Sequence, residues 1–525
     1  MYDLILDNCY IIDGSGAPAY NADIGIKGEV IAAIGSLKLQ NSLKRIQAHN
    51  MTVCPGFIDI HSHSDLDILK HPYEINKLRQ GVTTEVTGQC GLSLFPFTGR
   101  GAGYFEQILR EYNRTMDIDW HTAEEFFGRL EAAGFGVNLA PLAGHGALRV
   151  NTCGFSPDAV SVGSMEQMKR LLAEAMEQGA FGMSTGLGYP PCCFAATGEL
   201  IELAKVLKGY GGIFTAHIRD QGDELIESVA EAIRVGEEAG VPVDISHIKA
   251  SGRRNWGKLR QALKLMDEAR ARGVDVICDF YPYTSAENTL IYELPKWLNE
   301  EGLDNCVKRL GDAGIRKRIE TELSGRGASY WDAVTVIRVS TQKNEELKGL
   351  TISEIASLRK KCAIDAICDL LIEEKLGVEV VAGVMCEEDV LDAAAYPFAA
   401  LGSDSYAQSD DPSAFYGHPR NYGSFPRFIR KYINDMKAIT LEEGVRRMTS
   451  LPASFAGIKG RGLIKEGNYA DIVVTDAEKI RDKATYKKPS EYPEGIRFVI
   501  INGRIQVEDG KVMRIPCGKV LRRGK

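Results

Sequence analysis

Between residues 56 and 403 a compact apolar stretch is followed, again and again, by a segment of helical periodicity, and this alternation restricts the fold more than any other feature. The apolar stretches fall at 56–61, 83–87, 137–143, 180–184, 212–216, 243–246, 274–279 and 399–403. Each is short and bounded by turn residues, as buried strands are. The intervals 165–178, 225–239 and 259–271 carry apolar residues at helical spacing. Strands that alternate with helices pair in parallel. Eight such units imply a (β/α)8 TIM-like barrel, an α/β fold whose chemistry sits where its strands end.

The two ends of the chain have a different texture. Residues 1 to about 52 alternate in short strand-like pieces separated by turn pairs such as Asp13-Gly14 and Lys27-Gly28, and the same pattern returns at 470–474, 497–503 and 504–507. Neither piece is large enough to stand alone, so one small β-sandwich domain is expected from both termini, 1–54 and 462–525, with the catalytic barrel at 55–461 inserted between them. The gap before the last strand, roughly 288–395, holds helical material of its own, such as 315–323. It reads as an insertion, centred on about 288–350, over or beside the mouth of the barrel.

Composition removes several classes of function. A formal charge of −8 without a basic block argues against nucleic acid and against an anionic membrane surface. The opening Met1-Tyr2-Asp3-Leu4-Ile5-Leu6-Asp7 does not read as a signal peptide, and no apolar run is long enough to span a bilayer. The 12 cysteines are scattered singly apart from Cys192-Cys193, which fits a reducing cytoplasm and not a disulfide framework. A small-molecule substrate is the expected partner.

The strand ends carry the chemistry. His61 and His63 end the first stretch, and side chains two apart on a strand point to one side, so both can face one ion. Cys90 follows the second stretch, His145 the third, His217 the fifth, His247 the sixth and Asp404 the eighth. Of the 9 histidines in the chain, five fall at these ends. A barrel gathers all of them around one opening. His, Cys and Asp are zinc ligands, and imidazole with carboxylate also suits manganese, cobalt or iron. A structural zinc site would use closely spaced cysteines. Mixed donors spread over several strands favour a catalytic centre with a position open to water.

The segments Pro55-Gly56-Phe57-Ile58-Asp59-Ile60-His61-Ser62-His63-Ser64-Asp65, Thr215-Ala216-His217-Ile218-Arg219, Ile245-Ser246-His247-Ile248-Lys249 and Gly402-Ser403-Asp404 resemble the amidohydrolase superfamily. Within it the chain is similar, essentially from end to end, to the N-acyl-D-amino-acid deacylases, or D-aminoacylases. Gly88-Gln89-Cys90-Gly91 matches that group's cysteine ligand after the second strand. Many other relatives use a carboxylated lysine after the fourth strand, and residues 180–196 contain no lysine.

The resemblance implies that Cys90, His217 and His247 hold one tight zinc, while His61, His63 and Asp404 line a neighbouring position for a second, weaker divalent metal. A thiolate beside a dication is a ligand and not a nucleophile. Asp404 is the expected general base and acid, taking a proton from the attacking water and giving it to the leaving amine. A free α-carboxylate on the substrate calls for a cation, and Lys249 and Arg420 are at hand. The resemblance assigns carboxylate contacts to both and to Tyr281.

Two places depart from the family. Ala286-Glu287-Asn288 stands where relatives often carry a small hydroxyl residue, so either Glu287 points away from a carboxylate pocket or the side-chain preference differs. Ser405-Tyr406-Ala407 departs from a glycine-containing version. His145 reads equally as an oxyanion donor, an orienting residue or a structural one. The glycine-rich run 182–188 lacks the lysine of a phosphate loop. The expected activity is zinc-dependent cleavage of N-acyl-D-amino acids. Cyclic-amide opening of the hydantoinase or dihydroorotase kind is disfavoured by the missing lysine, dipeptide hydrolysis is a third reading, and a non-catalytic scaffold is disfavoured by the complete ligand set.

Overall fold

The computed structural model describes every residue except 100, 115, 301, 410, 412–416 and 525. Among the described residues eight parallel strands form the barrel: β1 (Phe57–Asp59), β2 (Val82–Thr87), β3 (Asn138–Pro141), β4 (Gly182–Gly186), β5 (Ile213–His217), β6 (Val243–Ile245), β7 (Val276–Phe280) and β8 (Ala399–Leu401). Each pairs in parallel with the next, β1 to β3 in one run and β4 to β8 in another. Pro141 has no N–H to give, and the third strand breaks there. It resumes at Ala143–Gly144, which pairs with β4 and joins the two runs. The seam between β1 and β8 closes just past the strands, where Asp404 N–H donates to His61 O at 2.8 Å and His63 N–H to Ser405 O at 2.9 Å.

Ile58, Ile60, Val86, Leu142, Ile213, Ile277 and Ala400 belong to one buried cluster. Side chains from strands so far apart meet only if they face the barrel axis, so this cluster is the inner layer. Shortening a large member of such a layer to alanine costs about 2–5 kcal/mol. The outer layer includes α1 (Val162–Glu177), α2 (Leu225–Ala239) and α3 (Leu259–Ala271). Ser161 caps α1 by accepting from Ser164 N–H, and α2 stops at Gly240, whose φ of 69° is the left-handed conformation that glycine adopts freely.

Residues from both ends of the chain share one nine-stranded sheet among the described residues. Its joint is Thr52–Pro55, antiparallel to Ile472–Thr475 and parallel to Tyr10 and Ile11. The strand Tyr2–Ile11 forks the sheet, pairing with Ser42–Gln47 along its first half. Alternation then sorts the side chains. Ile472, Val474 and Ile500 pack with Leu4, Leu6 and Ile24, whereas Val473, Val499 and Ile501 turn to the barrel's core.

Between β7 and β8 lies a separately packed segment. Its antiparallel strands are Ala286–Thr289, Val334–Val339 and Val378–Ala382, the last in the middle. They enclose a core of their own with residues such as Leu290, Val336, Ile367 and Leu370, so residues beyond 350 belong to this packing as far as Ala382. Its first strand runs along the barrel mouth. Among the described residues no helix is long and apolar enough to cross a membrane.

Candidate metal centre

The barrel delivers His61, His63, Cys90, His217, His247 and Asp404 to one place. Three of them, Cys90, His247 and Asp404, hold left-handed backbone with φ of 57°, 35° and 52°. Such conformations cost non-glycine residues roughly 1–3 kcal/mol each and persist where neighbouring bonds over-determine them. Here His247 N–H donates to Asp279 Oδ1 at 2.8 Å, and Asp404 N–H is the seam bond to His61.

Cys90 Sγ lies 3.3 Å from His61 Nε2, 3.4 Å from His247 Nε2 and 3.8 Å from His217 Nδ1. Donors around one tetrahedral zinc, with Zn–N near 2.1 Å and Zn–S near 2.3 Å, stand about 3.4–3.7 Å apart, so the set fits a metal ion. Two groups are tight, with all ligand atoms within 4.8 Å of one another: His61, Cys90 and His247, and His61, His63 and Asp404. His61 belongs to both. His217 meets the first group through Cys90 and packs edge-on against the His247 ring, 4.5 Å between centroids. Asp404 Oδ1 faces His63 Nε2 at 3.2 Å and His61 Nε2 at 3.6 Å.

Charges settle the protonation states. Burial by itself would raise the Cys90 thiol, but the imidazole of His61 and hydrogen bonds with His217 and His247 hold it well below its ordinary value. That direction suits Cys90 as a thiolate ligand. Burial would likewise raise Asp404, yet Arg420 and His63 keep it well below the carboxylate range. Burial, helped by neighbouring Lys249, brings His247 down to about 4, which leaves it neutral and able to ligate. Burial also pushes Lys249 down to about 8 against the pull of Asp404.

Beside the donors lies a small cavity. Lys249 and Tyr281 line it. Arg420 stands just behind, its Nη1 donating to Asp404 Oδ2 at 2.7 Å and its guanidinium 4.9 Å from the centre of the Tyr281 ring. Tyr281 Oη and Arg420 Nε are buried and without a hydrogen-bond partner. Buried donors left unmet call for an acceptor.

His145 stays apart from this group. Its Nδ1 meets Thr185 Oγ1 at 2.8 Å and its Nε2 meets Glu199 at 2.8 Å, so both nitrogens are spent in a buried network with Arg149. That makes it an internal structural residue and leaves it nothing to donate to an oxyanion. Three other residues at the site escape sequence reasoning. Asp279 accepts from His61 Nδ1 at 2.9 Å, which fixes that ring's proton on Nδ1 and frees Nε2. His418 accepts Arg420 N–H at 3.0 Å and bonds Ser285 O at 2.9 Å. Lys77 lies behind the ligands, joining Asp59 and Glu85 at 2.7 Å each. Asp279 did end an apolar strand, a signal that could have singled it out.

Comparison with known proteins bears on what this arrangement does. A model of the amidohydrolase family matches residues 44–507. The D-aminoacylase of Alcaligenes xylosoxydans xylosoxydans is 33% identical over 522 residues, 99% of this chain and 98% of that protein. A D-aminoacylase structure, from work on a binuclear metal centre with one-metal activation and second-metal attenuation, superposes with a TM-score of 0.84 at 32% identity over 100% of both chains. The N-acyl-D-glutamate deacylase of Bordetella bronchiseptica, bound to zinc and to a phosphonate mimic of the tetrahedral intermediate, gives 0.83 at 30% identity over 99% of both. With its barrel, its β domain and its strand-end donors, the chain belongs to the amidohydrolase family and stands within it beside the D-aminoacylases.

Proposed function

We propose that this protein hydrolyses the amide bond of N-acyl-D-amino acids at a zinc centre, releasing a carboxylic acid and a free D-amino acid. The observation that carries the reading is one cavity that brings metal donors and carboxylate-binding groups together. Thiolate, imidazole and carboxylate donors line it together with Lys249 and Tyr281, whose Oη is unpartnered, and Arg420, with its Nε unpartnered, stands directly behind Asp404. The D configuration rests on the relatives, whose names specify it.

Cys90, His217 and His247 would hold the tight zinc, and His61, His63 and Asp404 would border a second, weaker position. When bound, the metal supplies Lewis acidity and lowers the pKa of a water to about 7. Asp404 would take the attacking water's proton at Oδ1 and pass it to the leaving nitrogen. Arg420 grips Oδ2 and so keeps Oδ1 turned toward the reacting atoms. Lys249, Tyr281 and Arg420 hold the substrate carboxylate and thereby fix where the scissile bond lies. Asp279 orients His61, and Cys90 serves only as a ligand. We further read 1–54 and 462–525 as the β domain, 55–461 as the catalytic domain and the segment from about 288 as its insertion. A cytoplasmic location fits cysteines that are all unpaired.

Zinc-reconstituted protein assayed against matched N-acetyl-D- and N-acetyl-L-amino acids, a dipeptide, hydantoin and dihydroorotate tests this. Turnover of acyl-D-amino acids, with little or none of the L forms, is expected. Turnover of a cyclic amide or dipeptide with none of the acyl-D-amino acids would show the reading to be wrong.

A further inference from the structure

Four residues past the ligand His217, the loop that leaves β5 brings Gln221 to the wall of the cavity. Its backbone is pinned on both sides: Asp220 N–H donates to Ser228 Oγ at 3.0 Å, Gly222 N–H to Asp220 Oδ1 at 2.7 Å, and Ser251 N–H to Gln221 O at 2.6 Å. The carboxamide thus arrives between His247 and Lys249, which follow β6. Gln221 Nε2 donates to His247 Nδ1 at 3.0 Å, and Lys249 Nζ donates to Gln221 Oε1 at 3.1 Å. Lys249 Nζ also stands 3.0 Å from His247 Nδ1. Asp404 is already taken by Arg420 and His63.

This arrangement suits one tautomer of His247, and ligation needs the other. The atom that faces Cys90 is Nε2, so a neutral His247 that ligates carries its proton on Nδ1. Nδ1 then requires an acceptor, yet the two groups beside it are nitrogen donors. The oxygen of Gln221 can serve it if the carboxamide turns over, but the same turn sets an NH2 group against the Lys249 ammonium and takes away its acceptor. One oxygen has two claimants. Whichever way the amide lies, one of them faces a donor, and a polar group left unmet in a buried site is costly. No group here changes its charge; only the place of one proton and the turn of one amide change. A carboxylate on Lys249 resolves the conflict, because the ammonium gains a charge-assisted partner and the Gln221 oxygen is released to His247. Resting on the deacylase reading, which puts the substrate carboxylate at Lys249, we propose that Gln221 is a positioning residue through which carboxylate binding at Lys249 and zinc binding at His247 strengthen each other. The coupling is reciprocal, as any linkage between two binding sites is.

Zinc affinity of the full chain is measured against a chelator buffer of fixed free zinc, with and without D-methionine at a saturating level set by calorimetry, for the native protein, Gln221→Glu and Gln221→Leu. Glutamate offers an oxygen to each claimant, and leucine offers none to share. In the native protein D-methionine should tighten zinc by at least about tenfold, and in both variants that gain should fall to about threefold or less. Gln221→Glu should also hold zinc at least about tenfold tighter than the native protein before any D-methionine is added. A side chain that merely supports the fold would weaken zinc in both variants and leave the gain where it was. A native gain below about threefold, or an equal gain in all three proteins, as direct contact of the amino acid with zinc would give, overturns this proposal alone. Failure of the zinc-loaded native protein to bind D-methionine and to turn over N-acetyl-D-methionine overturns the deacylase reading and this proposal with it.

Discussion

Asp404 divides its two oxygens between different neighbours, Oδ1 toward His63 and His61 and Oδ2 toward Arg420. An amide keeps that shape and loses the basicity, so Asp404→Asn should lower kcat by roughly 10²–10⁴-fold. Metal analysis of the same variant should find most of the zinc still bound, since Cys90, His217 and His247 are untouched. Undiminished kcat would remove Asp404 as the proton carrier. The donor residues were legible in the sequence because both of their properties, residue type and place at a strand end, are local. Asp279 was not. A carboxylate that ends a strand reads the same whether it binds a metal or aligns a ligand, and its contact with His61 spans 218 residues. His418 and Lys77 were invisible for the same reason, as their roles exist only through distant partners.

At the level of elements, the short helix Ile75–Leu78 places Lys77 behind the seam of the barrel. Its Nζ reaches Asp59 in β1, Glu85 in β2, and the hydroxyls of Ser62 at 3.1 Å and Ser403 at 2.9 Å. Lys77, Asp59 and Glu85 are all fully buried. Removing the one cation from such a cluster strands its carboxylates, at a cost of about 3–5 kcal/mol. Lys77→Met should therefore unfold at markedly lower urea than the native protein. Arg129→Ala, which breaks an exposed pair with Asp119, should cost at most ~1 kcal/mol. If the two variants unfold at the same urea concentration, Lys77 does not fasten the seam. The strand-helix alternation that revealed the barrel also gave α2 and α3 their limits, because turn residues mark helix ends. It placed β4 two residues early. The glycine-rich run 182–188 continues that strand as far as Gly186, which pairs with His217 in a ladder that no local pattern reveals.

Across the whole molecule, the segment after residue 516 runs back along the barrel. Gly518 N–H donates to Phe135 O at 2.9 Å, Leu139 N–H to Lys519 O at 2.9 Å, Leu521 N–H to Leu139 O at 2.7 Å and Arg523 N–H to Gly179 O at 2.9 Å. At ~1 kcal/mol per hydrogen bond, deleting 517–525 should cost about 4 kcal/mol, measured by urea unfolding, and an unchanged midpoint would mean the segment is only draped over the surface. The seam carries a different kind of consequence. Ser62 and Ser405, which pair across it, are 343 residues apart in the chain. During synthesis at about 5–20 residues per second, the histidines of the first strand emerge roughly 20–70 s before the carboxylate of the last. The nascent chain thus carries its first two histidines through that interval before Asp404 exists, and the residue proposed to carry the proton is also among the last needed to shut the barrel.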